Sequence, residues 1–568
     1  MRTHPVTTFS LALVLGATIG CQSSGPGPET ITSIEIPRPA KLESFAEADR
    51  LRGSITPERA WWDLLHYDLH LRFDPETKNI SGSNTIRFAT LDSGRVMQID
   101  LQEPLEITGA KFRDRELTLE RNGNVHLIHF PWTLGAGVQD ELVLTYEGIP
   151  TESENPPWSG GISWEKDDKG APFIATTCQG IGASIWWPCK DHGYDEPNQG
   201  IDIHLSVPES LVAVSNGRLI SKDFDPINKL DVFHWRVTHP INNYAVNANI
   251  GNYVSMDGVF EGEGGKLDLQ YWVLPHQVEK ATEQFKQGPM TLEAFEHWFG
   301  KYPFYEDGFK LVVVPYLGME HQSSVTYGNG FKNGYRGRDL SGTGEGLLFD
   351  YIIIHETAHE WFGNNISHRD SGDMWIHEAF ATYAENLYLE YHFSEKQAQD
   401  YVIGSWQKVR NEKPIIGPYG VNKTGSGDMY AKGAAILHTL RHSIHDTAKW
   451  RDILRGLNTK FWHSTVSTAK FEAYISEHAG YDYGPFFDQY LRTKEIPVLK
   501  YVATNGGVAL WFENAVKGFH MPIGVTVNGM EMRLGVGQSP TEIALESPFE
   551  SLGLNRNFYM TAEPYQAE

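Results

Sequence analysis

Cysteine is scarce: the 568 residues hold three, Cys21, Cys178 and Cys189. So few thiols cannot staple a chain of this length, and a packed hydrophobic core has to hold it together. Cys178 and Cys189 are open to either fate, a disulfide in an oxidising compartment or two buried free thiols. Positive charge is also short, with 48 Lys and Arg against 72 Asp and Glu and a formal net charge of -24. That balance opposes nucleic acid and anionic membrane surfaces as partners. Long hydrophobic runs are missing, since the apolar stretch 9–19 is too short to span a bilayer. No repeat or low-complexity tract interrupts residues 61–253.

What is present is an ordinary globular composition, 40% hydrophobic and 12% aromatic with 16 Trp, which argues against disorder. The length exceeds one ordinary domain. Arg2, the apolar stretch and Gly20-Cys21 read as a secretory signal over residues 1–21. The cysteine resembles the acylated residue of a bacterial lipobox, with Thr18 where Leu is preferred. The expectation is an exported protein, periplasmic or anchored at the outer membrane through a lipid on Cys21. Residues 22–57, with Gly-Pro-Gly-Pro, read as a linker with little core of its own.

Residues 58–257 alternate apolar and polar positions, as in Tyr67, Leu69, Leu71 and Phe73, and predict an antiparallel β domain. Near Leu274-Pro275 the spacing turns helical, and residues 258–495 predict an α-rich domain. Strand patterns return beyond Pro497, with an Asn528-Gly529 hairpin signal, so residues 496–568 predict a small β-sandwich-like domain. The fold class expected is therefore multidomain α+β.

Chemistry concentrates in His355-Glu356-Thr357-Ala358-His359. On a helix, residues four apart share a face, so both imidazoles can reach one metal ion. Glu356 is rotated off that face and is free to serve a water molecule as base. A catalytic zinc site takes three protein ligands, and Glu378, on the next predicted helix after 18 intervening residues, supplies the third. One Zn2+ per chain is expected.

Four ordered segments resemble the gluzincin aminopeptidases, the family of aminopeptidase N and leukotriene hydrolase. The first is the pentad followed by Trp375-Ile376-His377-Glu378-Ala379-Phe380-Ala381. Leu317-Gly318-Met319-Glu320-His321 stands in the place of the family's Gly-Ala-Met-Glu-Asn, and Met429-Tyr430-Ala431-Lys432-Gly433 is similar to the segment bearing the family's catalytic tyrosine. Thr177-Cys178-Gln179 resembles the stretch whose glutamine lines the substrate site. Three positions depart from the pattern: Leu317 for glycine, His321 for asparagine, and His377 with Ala379 for the usual Asn and Gly around Glu378.

The resemblance implies a thermolysin-like catalytic domain and zinc held by His355, His359 and Glu378. It implies Glu356 as the base and Tyr430 as oxyanion donor. Peptides with a free N-terminus would be held by Glu320, assisted by Gln179, with Gly318 and Met319 also in the substrate site. The family's helical C-terminal domain is not expected in these 568 residues, because too few follow the small β segment. Alternatives at this stage are a zinc endopeptidase, an epoxide hydrolase, or a non-catalytic peptide-binding lipoprotein. Retention of both Glu356 and Tyr430 argues against the last, because a binder needs neither a base nor an oxyanion donor.

Overall fold

The alternating pattern of the first half builds sheets whose apolar positions face inward. In the computed structural model, which describes residues 33–38 and 41–566, β1 (Trp62–Asp74) buries Tyr67, Leu69, Leu71 and Phe73. It pairs antiparallel with β2 (Asn79–Thr90) at the centre of an eight-stranded sheet. One pair departs from the antiparallel expectation: β1 runs parallel to β3 (Ile201–Pro208), which pairs antiparallel with β4 (Leu230–Val237). A parallel neighbour needs a long connection, and two smaller sheets, of three and four strands, are formed in part by the chain between β1 and β3.

The strand Val254–Gly262 pairs with Gly265–Val273 and belongs to the next sheet, so the expected division at 257/258 falls inside a strand. That sheet has five strands and includes Phe309–Val313, β5 (Gly318–Met319) and Val325–Tyr327. The region expected to be a bare linker is partly built. Helix Glu47–Gly53 buries Gly53, and Asn422 donates its backbone N–H to the Asp49 carbonyl. Ile34 bridges to Val516. Residues 1–32, with the expected signal and Cys21, lie outside the described residues. Cys178 and Cys189 are free, buried thiols, and burial pushes both well above their usual range.

Three helices carry the functional motifs. Helix α1 (Tyr351–Ala358) is capped by Asp350, whose carboxylate accepts from the Ile352 and Ile353 amides. Asp350 is buried and also accepts from Tyr327, Asn329 and Gln284, so the start of α1 is locked to the sheet. Just past α1, Phe362 stacks on Phe380 of α2 (Trp375–His392) with centroids 4.3 Å apart. Helix α3 (Ala431–Ile444) crosses α2 where Gly433 meets Ala379; a Cβ on Gly433 would lie 2.5 Å from the Ala379 Cβ. The C-terminal residues form sheets of four and three strands, and Asn528 and Gly529, at φ 47° and 80°, turn the hairpin between Met521–Val527 and Met530–Val536.

The α2–α3 crossing generates the first test. Gly433→Ala should cost about 1–3 kcal/mol through overpacking, seen as a lower thermal midpoint by circular dichroism. An unchanged midpoint would mean that the crossing has slack.

Candidate active site

Helix α1 and α2 meet so that His355, His359 and Glu378 converge. Glu378 Oε2 lies 3.7 Å from His355 Nε2 and 3.6 Å from His359 Nε2, and all three residues are buried. The opposite ring nitrogens are occupied. His355 Nδ1 pairs with Glu385 Oε1 at 2.8 Å, and His359 Nδ1 donates to the Phe362 carbonyl at 2.9 Å. These bonds fix the tautomers and leave both Nε2 atoms facing Glu378 as acceptors. Glu385 is itself bonded by Tyr401 and stands seven residues after Glu378, two turns along one face of α2. That spacing was a usable signal for it.

Glu320 follows β5 and is 3% exposed. Its carbonyl accepts from Asn364 Nδ2 at 2.9 Å, and the loop beyond it is tied down where Glu360 accepts from the Ser323 amide. Gln179 Nε2 donates to Glu320 Oε1 at 2.7 Å and to Glu378 Oε1 at 3.1 Å, joining the N-terminal sheets to the metal helices. Burial, with the Glu356 and Glu378 carboxylates close by, pushes Glu320 up to about 8. Glu356, one residue from His355, is pushed up to about 7, again chiefly by burial. Among the described residues, no lysine or arginine forms an ion pair with Glu320, Glu356 or Glu378.

Tyr430 stands at the N-terminal end of α3, its ring 6.1 Å from that of His355. Burial and the Glu378 and Glu320 carboxylates hold its hydroxyl protonated far above neutral pH. Gly318 serves close approach to α1, since a Cβ there would lie 2.5 Å from Ile352 Cγ2 and 2.9 Å from the Thr326 carbonyl. Met319 packs with Ala175, Val314 and Tyr316.

The departures at His321 and His377 have separate explanations. His321 is buried against Thr326 and takes no part in the donor cluster. His377 Nε2 accepts from the His368 amide at 2.8 Å, which leaves the proton on Nδ1, 3.3 Å from Tyr244 Oη. Tyr244 in turn donates to Glu320 Oε1 at 3.1 Å. Both nitrogens of His377 are engaged, so it is no metal ligand. Tyr244 carried no sequence signal, because it lies between the Thr177-Cys178-Gln179 and Leu317-Gly318-Met319 segments and outside both.

The donor set fits zinc. Tetrahedral ligands at roughly 2.1 Å from an ion stand about 3.4 Å apart, and 3.6 and 3.7 Å approach that. His355, His359 and Glu378 would hold the ion, leaving one position open. Glu385→Ala, which removes the partner orienting His355, should weaken zinc binding roughly 10- to 100-fold in a chelator competition. Undiminished retention would remove that role from Glu385.

Two family models match the chain, the peptidase family M1 domain over residues 284–490 and the peptidase M1 N-terminal domain over residues 64–245. Leucyl aminopeptidase of Saccharolobus solfataricus is 22% identical over 517 residues, 86% of this chain and 62% of that protein. Mouse aminopeptidase B is 23% identical over 507 residues, 80% of this chain and 71% of that protein. The chain thus spans less than two thirds of the first relative's length. A crystal structure of an M1 zinc metallopeptidase from Deinococcus radiodurans superposes with a TM-score of 0.63 at 21% identity, covering 76% of this chain and 93% of that one. With both domain models in order and the donor set in place, the chain belongs to the peptidase M1 family of zinc metallopeptidases.

Proposed function

We propose that the protein is a zinc-dependent aminopeptidase that removes N-terminal residues from peptides. The observation that carries this reading is Glu320, a buried carboxylate that has no lysine or arginine partner among the described residues and is bridged by Gln179 to Glu378. A peptide's α-ammonium, with a pKa of about 7.7–8.0, is the cation such a position selects. Gln179 commits its amide hydrogens to the two glutamates, which leaves Oε1 to accept from the same ammonium. An endopeptidase would set an uncharged backbone against this carboxylate and leave it desolvated without compensation.

When bound, the zinc ion supplies Lewis-acid polarisation of the scissile carbonyl and activation of water. Glu356 takes the proton from the attacking water and delivers it to the leaving amine; its elevated affinity for a proton suits both transfers. Tyr430, kept neutral, donates its O–H to the developing oxyanion. Tyr244, held by His377, fixes the Glu320 carboxylate so that substrate is measured from its amino end.

Glu320→Ala should abolish most turnover of aminoacyl fluorogenic substrates while zinc content stays near that of the wild type. Equal hydrolysis of N-acetylated and free peptides by the wild type would refute the exopeptidase reading. Tyr430→Phe should lower kcat/KM by about 3 kcal/mol of transition-state stabilisation; unchanged turnover would take Tyr430 out of the mechanism.

A further inference from the structure

Away from this site, the eight-stranded sheet carries an unusual array on its partly exposed face. Alternation along β1 places His66, Asp68 and His70 on one side, and the register sets Asp68 opposite Asp202 and His70 opposite His204 of β3. His204 in turn stands opposite His234 of β4. The imidazoles of His70, His204 and His234 stack across the three strands, with neighbouring centroids 4.0 Å apart.

The two aspartates are treated differently. Asp202 is satisfied, with His234 Nε2 at 2.7 Å and His66 Nε2 at 3.1 Å. Asp68 turns one oxygen to two rings. Its Oδ1, itself shielded from solvent, lies 3.1 Å from His70 Nε2 and 3.4 Å from His204 Nε2. The two imidazoles hold its carboxyl well below the usual carboxylate range, so it stays ionised, as a metal ligand must. The separations of 3.1 and 3.4 Å also match the spacing of about 3.4 Å for two ligands on one tetrahedral ion.

We propose that Asp68, His70 and His204 form a second metal site, for a divalent transition ion of the zinc, nickel or copper class. Two imidazoles and one carboxylate suit these ions, whereas magnesium and calcium prefer all-oxygen sets. The three donor atoms lie within 4.8 Å of one another. His70 and His204 are nearly parallel, 4° between planes, so their rings must tilt to aim both lone pairs at one ion. His70, 51% exposed, has the freedom to do so. His204 is steadied from behind by His234, itself anchored on Asp202.

The site would clip β1 to β3, the parallel pair whose connection runs through two other sheets. Cross-linking strands so far apart in sequence restricts the unfolded chain more than a local link would. Its role is thus structural, and it shares no residue with the catalytic cluster.

The test is equilibrium dialysis of the full chain and of the His70→Asn, His204→Asn double variant against Zn2+, followed by metal analysis. The double variant should hold one ion fewer per chain, with unchanged peptide turnover and an unchanged thermal midpoint in chelator. Equal zinc content in the two proteins overturns the proposal. Because the readout is the difference between them, it stands whether or not the catalytic site behaves as proposed. An Asp68→Asn variant, a single-atom replacement on the exposed face, guards against misfolding and should show the same loss; if it keeps the full complement, Asp68 is no ligand and the site as stated fails.

Discussion

Three glutamates are buried together and, among the described residues, no lysine or arginine pairs with them; much of the molecule is arranged around that constraint. Glu320, Glu356 and Glu378 are 3%, 7% and 2% exposed. Ionised carboxylates so placed are costly unless cations join them. The protein supplies part of the compensation through neutral donors: Gln179 to two of the three, and Tyr244 to Glu320. The rest is left to a metal ion and to the ammonium of a substrate. The same electrostatic shortage would account both for metal binding and for the proposed preference for a free amino end.

The constraint also explains why the N-terminal sheets are part of the catalytic apparatus. Gln179 follows the strand Pro172–Thr177, and Tyr244 sits in a turn capped by Asn242, both far from the helices in sequence. Each reaches Glu320. A catalytic domain without those sheets would keep the zinc ligands but lose the groups that restrain Glu320.

The parts of the site that follow a regular period were legible in the sequence. His355 and His359 are one helical turn apart, and the change to helical spacing read near Leu274-Pro275 falls just before the helices Val278–Gln284 and Gln287–Phe299. Glu320, Tyr430 and Gln179 were found only through likeness to a family, since nothing in their local spacing announces them. Tyr244, His377 and Asn364 act through contacts between segments that are distant in the chain, and such contacts leave no periodic trace. The same holds for the parallel pairing of β1 with β3, which alternation alone cannot distinguish from an antiparallel one.

The contact between Gly433 and Ala379 ties two of the motifs into a single volume. Ala379 directly follows the ligand Glu378, and Gly433 lies three residues beyond Tyr430. At their crossing there is space for one methyl group, and here α2 carries it. The usual family pattern has glycine at the position of Ala379, which frees the same space for a methyl on α3. These two positions are therefore expected to vary as a pair rather than singly, with no more than one methyl group between them.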